Sequence, residues 1–432
     1  MRLRRSLGTV VIAAVIPSSL VAGHLLERDS PWRDQSVIKR AGEGAACGAS
    51  AGNSVCDHGL CCSESGICGT GGAFCSAPAC QLSYGPGCDG NQVPAGATTA
   101  NVPRPRFGHV PYGVDISHCS VRGKVALTFD DGPYIHTAKL LDTLKKNNVS
   151  ATFFIVGNNA GKGQISDPES GYTPIIQRMI ADGHQVGSHT WSHQDMNAIT
   201  PQQRRAQIIN NEIALANVLG VIPSYFRPPY TLCDVDCYND LASLGYHVVN
   251  YDVDTRDWEN NGIHSKSIYQ SILTQGSSSS SQWLSLAHDV QEHTVHQLAQ
   301  FMIDTAKGHG YQLVTVGECL GDPPENWYRD PRTGASRNAR GASPTPVQRV
   351  PTSARSTTTS ANSTVSVATP SSSDGMTPSS SMPGVVETRA SDVGGRRAVP
   401  LQRCFRGGLS EDAAAVLGVI VWLVGLVFWA GG

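Results

Sequence analysis

The chain is short of the residue types that usually announce a partner. Aromatic residues make up only 6% of its 432 residues and charged residues only 16%. Lys and Arg (33) balance Asp and Glu (35) to a net charge of −2, and there is no long basic run. That excludes nucleic acid as the main partner, because phosphate binding needs a clustered positive surface. Aromatics are missing altogether between Tyr328 and Phe405, where about half of the residues from Ser343 to Pro383 are Ser or Thr. Such a segment buries too little apolar surface to offset its ordering entropy, and residues 326–410 are expected to form an extended, O-glycosylated stalk. What the chain does have is 13 cysteines, eight of them between Cys47 and Cys88. Unless these bind metal, that density points to an oxidising compartment.

The two ends agree with export. Arg2, Arg4 and Arg5 precede the apolar stretch Leu7 to Ile16 and small residues near Ala22, which predicts a signal peptide over residues 1–23. Lys39-Arg40 resembles a dibasic processing site closing a propeptide over 24–40. Residues Ala413 to Ala430 carry no charge, and the nearby arginines (Arg396, Arg397, Arg403, Arg406) all precede them. A retained span would set those charges on the wrong side for the positive-inside tendency. A glycosylphosphatidylinositol signal over 411–432, discarded when the lipid is attached, explains the pattern better. The expectation is a secreted monomer, anchored by lipid at the cell surface or wall.

Eight cysteines in 42 residues form a module too small to be held by burial alone, so disulfides are its natural staples. Adjacent Cys61 and Cys62, and the absence of paired Cys-x-x-Cys knuckles, argue against zinc. The order Cys47, Cys56, Cys61, Cys62, Cys68, Cys75, Cys80, Cys88 resembles the hevein-type (type 1) chitin-binding domain, placed at 41–92 and followed by a linker at 93–109. The resemblance implies a sugar-stacking platform to which Ser63 and Phe74 contribute. Ser65 and Ile67 stand where that family carries two further aromatics, which weakens the expected affinity, since stacking depends on aromatic faces.

From residue 110 to 325, strand-like runs alternate with helical patterns. Val125 to Phe129, Ala151 to Val156, Gln185 to Ser188, His247 to Tyr251, Trp283 to Ala287 and Gln312 to Val316 read as strands. The intervening helices are predicted at 136–147, 174–182, 201–219, 265–274 and 294–307. Alternation of this kind predicts an α/β fold with a parallel sheet or barrel, whose chemistry collects at the carboxyl ends of the strands. Polar groups stand at those ends. Asp130-Asp131 closes the first strand, and adjacent carboxylates are costly unless a cation or proton intervenes. His189 and His193 follow the third strand at i, i+4, a spacing that suits one helical face and a metal. With Asp131 they make a two-His, one-carboxylate set, fit for zinc or for non-haem iron. Phe226 to Tyr230, Asp254 to Trp258 and Leu284 to Asp289 complete the series.

Together these motifs resemble the polysaccharide deacetylases, the family 4 carbohydrate esterases. The resemblance implies a distorted (β/α) barrel of about seven strands. It implies metal ligands at Asp131, His189 and His193, holding zinc or another divalent ion such as cobalt. It makes Asp130 the general base, Arg227 the cation holding it charged, and His288 the general acid oriented by Asp257. The backbone N–H of Tyr230 would help bind the oxyanion, while Trp258 and Leu286 line an acetyl pocket. It also implies Cys119–Cys319 and Cys233–Cys237 disulfides, leaving Cys404 over. The chemistry is coherent: an amide is a poor electrophile, and a divalent metal polarises its carbonyl and activates water. The amine must leave protonated, which calls for a cationic acid. The implied activity is metal-dependent removal of N-acetyl groups from chitin. The alternatives are another acetylated polymer (xylan, peptidoglycan or a galactosamine polymer), a non-catalytic chitin-binding surface protein, and an iron oxygenase.

Overall fold

The computed structural model describes residues 39–158 and 162–342. The expected signal peptide, the bulk of the stalk, the C-terminal tail and Cys404 lie outside the described residues.

Between residues 110 and 325 the chain builds a nine-stranded parallel sheet. Its strands are β1 (Asp115–Ile116), β2 (Lys124–Asp130), β3 (Thr152–Ile155), β4 (Gln185–Ser188), β5 (Tyr225–Phe226), β6 (His247–Val249), β7 (Val253–Asp254), β8 (Trp283–His288) and β9 (Gln312–Val314). The order is β7-β8-β2-β3-β4-β5-β6-β1, with β9 beside the first half of β2. The end strands β7 and β1 do not pair, so the barrel is a half-barrel, open on one side.

The period of two along β2 sorts its side chains. Val125, Leu127 and Phe129 pack with Phe153 of β3 into the core beneath the helices. Thr128 and Asp130 take the opposite, interior face. The covering helices are α1 (Thr137–Lys146), α2 (Tyr172–Ala181), α3 (Pro201–Leu219), α4 (Val235–Ser243), α5 (Ser265–Leu273) and α6 (Ala299–Gly308). The longest, α3, starts where its sequence dictates. Thr200 and Gln203 form a reciprocal capping box, Pro201 holds the first turn, and Gly220 closes the helix at φ 70°.

The small N-terminal module is held by Cys47–Cys62, Cys56–Cys68, Cys61–Cys75 and Cys80–Cys88. Cys119–Cys319 and Cys233–Cys237 join in the larger domain.

Two expectations need correction. The linker is not a free spacer. Arg104 makes a double ion pair with buried Glu212 of α3 at 2.7 and 2.8 Å, Thr99 donates to the same carboxylate at 2.5 Å, and Tyr246 donates to it at 2.8 Å. The stalk does not begin at 326: Tyr328–Arg329 pairs antiparallel with Ile222–Pro223, and Arg329 is fully buried. The Lys39-Arg40 pair is exposed at the start of the module, where Arg40–Ala41 pairs with Val55–Cys56.

Candidate active site

The polar groups meet at the carboxyl ends of β2, β4, β5 and β8. The registers bring them there: His288 is directly opposite Asp130 in the β8–β2 ladder, and Leu286 is opposite Thr128. Adjacent strands lie about 4.8 Å apart, so Asp130 and His288 face the same space by backbone pairing alone.

Arg227, just beyond β5, is fully buried and spends its donors on four acceptors. They are Asp130 Oδ1 at 2.8 Å, Thr128 Oγ1 at 2.6 Å, the Val249 carbonyl at 3.0 Å and the Asn250 carbonyl at 2.7 Å. Its guanidinium stacks 4.3 Å from the Phe154 ring centroid. A buried charge with that many partners is held in one geometry.

Asp131, His189 and His193 offer three ligand atoms within 4.8 Å of one another. Asp131 Oδ1 lies 3.2 Å from His193 Nε2 and 3.5 Å from His189 Nε2. Yet this buried oxygen has no aligned hydrogen bond. His189 Nδ1 donates to the Arg227 carbonyl at 2.6 Å, since a carbonyl can only accept, so its Nε2 lone pair is turned to the shared space. Burial, ahead of its charged neighbours, pushes the His189 pKa down to about 4, which keeps the ring neutral. Burial works against the Asp131 carboxylate, but His193 first and then His288 outweigh it and hold its pKa well below the usual range. Three convergent donors, one orphaned, fit a divalent cation. The Cys47, Cys56 and Cys68 sulfurs also cluster, but they are consumed in disulfides.

The helical reading of His189 and His193 fails. Both lie in the irregular loop after β4, with Thr190 at φ 71° and His193 at φ 55°; left-handed backbone, not a helical face, turns the two rings together. Asp131 is left-handed too, at φ 75°. Non-glycine residues held this way need surrounding contacts to fix them.

His288 Nδ1 is 2.6 Å from Asp257 Oδ1, and Asp257 Oδ2 accepts from the His288 N–H at 2.7 Å and from Thr294 Oγ1 at 2.6 Å. Burial opposes the charged imidazole. Asp257 first, then Asp131 and Asp130, overcome it and push the His288 pKa up to about 10. Tyr230, left-handed at φ 58°, sets its ring edge-on to His193 at 4.6 Å. Trp258, beyond β7, is 54% exposed, whereas Leu286 is buried on the face shared with His288.

Ser63 and Phe74 belong elsewhere. Ser63 is buried, and its hydroxyl bonds Ser65 and the backbone of Ile67. The Phe74 ring lies directly on Gly69, where an added Cβ would come within 2.6 Å of it.

Sequence reasoning gave no role to four contributors. Thr128 and Thr294 brace Arg227 and Asp257. Lys162 Nζ donates to the carbonyls of Asp131 at 2.9 Å and Gly132 at 3.1 Å. Asp289, against Gly132, accepts from Thr137 at 2.5 Å. Burial pushes the Lys162 ammonium down and the Asp289 carboxyl up. Two of them carried a signal: Thr128, two residues before Asp130 and so on its face, and Asp289, next to His288 in the strand-end motif.

Fold and site together define an α/β half-barrel with buried Asp130 and His288 side by side next to three convergent side chains that fit a divalent cation. The family model "Polysaccharide deacetylase" matches residues 118–249, and "Chitin recognition protein" matches 46–88. A protein of Colletotrichum lindemuthianum named chitin deacetylase is 45% identical over 239 residues, covering 54% of this chain and 94% of the relative. One from Pestalotiopsis sp, of the same name, is 42% identical over 239 residues, covering 54% and 76%. The solved structure of the chitin deacetylase from Colletotrichum lindemuthianum shares 44% identity at a TM-score of 0.49, covering 51% of this chain and 97% of that one. The chain belongs to the polysaccharide deacetylase family.

Proposed function

We propose that this protein hydrolyses the N-acetyl groups of chitin, leaving glucosamine units and acetate. The observation that carries the reading is the meeting of Asp130–Arg227, His288–Asp257 and the Asp131, His189, His193 cluster at one mouth of the half-barrel. The names of the relatives support the substrate. Zinc suits the donor set, and a divalent ion there supplies polarisation of the amide carbonyl and activation of water.

The protein's own groups divide the remaining work. Asp130, fixed by Arg227, accepts the water's proton. Tyr230 offers its backbone N–H to the developing oxyanion. His288, kept cationic by Asp257, protonates the departing amine. Leu286 and Trp258 enclose the methyl group. The sequences of the two ends support secretion and a lipid anchor.

The test is acetate release from N-acetylglucosamine oligomers after chelation and zinc add-back. Release restored by zinc and abolished in Asp130→Asn supports the reading; a zinc-loaded protein that releases none, beside an active control enzyme, overturns it.

A second polymer is favoured by one observation, the use of the Ser63 hydroxyl inside the module, on Ser65 and the Ile67 backbone, rather than on an open platform. A relative from Arthroderma benhamiae named probable peptidoglycan-N-acetylglucosamine deacetylase is 38% identical over 241 residues, which supports including peptidoglycan fragments in the same assay.

A further inference from the structure

The metal-ligand loop is braced from outside the half-barrel. Gln207, in the first half of α3 and 1% exposed, joins three parts of the chain. Its Oε1 accepts from the Ser192 N–H at 2.8 Å and the Ser192 hydroxyl at 2.9 Å, one residue before His193. Its backbone carbonyl accepts from the Trp191 N–H at 2.9 Å. Its Nε2 donates at 3.2 Å to the carbonyl of Gly90, which belongs to the disulfide module.

Gly90 is buried against the same loop. A Cβ added there would come within 2.6 Å of Ser192 Oγ and 2.7 Å of Leu82. A second arm runs through Asn158, whose N–H donates to the Trp191 carbonyl at 2.5 Å while its Nδ2 donates to the Asp89 carbonyl at 3.2 Å. The loop needs such support, because Thr190 and His193 are both left-handed without being glycine.

We propose that the module's Asp89–Asn91 turn, acting through Gln207, is a structural part of the metal centre: the module sets the position of the loop that carries His193, besides whatever sugar it binds. Gln207 is therefore a positioning residue. Its amide is used at both ends, one on the metal loop and one on the module, so a shift of the turn is passed to Ser192. The inference rests on the reading that Asp131, His189 and His193 hold a divalent metal. Partners that orient metal ligands typically change affinity 10–100-fold when removed.

The experiment measures zinc affinity by competition with a chromogenic chelator, in the full chain and without substrate. Gln207→Glu keeps the acceptor for Ser192 and loses the donor to Gly90. Gly90→Val pushes the turn off the loop. Ser83→Ala removes only an exposed bond between module and α3, that from Gln203 at 3.1 Å. The expected result is zinc bound about 10-fold more weakly in Gln207→Glu and Gly90→Val and unchanged in Ser83→Ala. Thermal unfolding is followed in parallel, and Gln207→Glu decides if Gly90→Val does not fold. Parental affinity in Gln207→Glu overturns the proposal, as does equal weakening in Ser83→Ala. A His193→Ala chain that binds zinc like the parent overturns the metal reading beneath it instead.

Discussion

Arg227 gathers much of the site's geometry into one side chain. It holds Asp130 with its guanidinium and orients His189 with its carbonyl, so one substitution disturbs both the proposed base and a proposed metal ligand. Arg227→Lys cannot reproduce the planar fork that reaches Asp130, Thr128 and two carbonyls. We expect kcat to fall about 100-fold or more, in the range general-base catalysis supplies, with the near-ultraviolet circular dichroism unchanged; a loss under 10-fold would refute the assignment.

Asp257 makes a different kind of prediction. The pKa of His288 is raised to about 10 in the fold. The stability of its protonated pair with Asp257 is therefore complete below about 6.5, the ordinary imidazole value, and fades as pH rises through 10. The same protonation keeps the acid competent in alkaline solution. Asp257→Asn removes the largest favourable charge, so the alkaline limb of the kcat profile should move toward neutral pH. A profile that falls in amplitude without moving would show that Asp257 only holds the ring in place.

At the scale of elements, α3 is where the molecule is tied together. Glu212 is completely buried and takes four hydrogen bonds, from Thr99, Tyr246 and twice from Arg104. Glu212→Ala would strand a largely buried guanidinium, and breaking such a pair typically costs about 3–5 kcal/mol. The denaturant midpoint should drop accordingly, and an unchanged midpoint would mean that the strap adds nothing.

This helix also shows what a sequence can and cannot disclose. Its bounds were legible because Thr200, Pro201, Gln203 and Gly220 are local signals. The long strands β2 and β8 were legible from their largely apolar runs, and the site motifs from their position at strand ends. The two-residue strands β1, β5 and β7 were not, because two residues carry no periodicity, and neighbours far away in the chain define them. Helix α4 was missed behind the Cys233–Cys237 loop. The left-handed turn at His193 was hidden for a further reason: i, i+4 spacing is compatible with a helix, and tertiary contacts decide otherwise. The pinning of residues 93–109 could not be read at all, because Gly, Pro and Thr look the same in a strap and in a spacer.

For the whole molecule, acid is the weak direction. His184 and His247 are both buried, and burial lowers each pKa to about 4. A folded value below the unfolded one means that the unfolded chain binds protons first. Stability is thus intact above about pH 6.5 and lost as pH falls toward 4, each group contributing up to roughly 3 kcal/mol. The melting temperature should decline across that window, and less steeply in His247→Asn; parallel slopes would rule the histidine out.

The pinned strap has a consequence for resistance to proteolysis. A stretch of Gly, Pro and Thr between two modules is ordinarily the first place a protease cuts, since cleavage needs some exposed, pliable chain. Here Thr99 is 2% exposed and Arg104 is locked to α3, so the peptide bonds around them cannot readily enter a protease cleft. Cleavage around Thr99 and Arg104 should therefore be slow, and limited proteolysis should leave the two halves joined there.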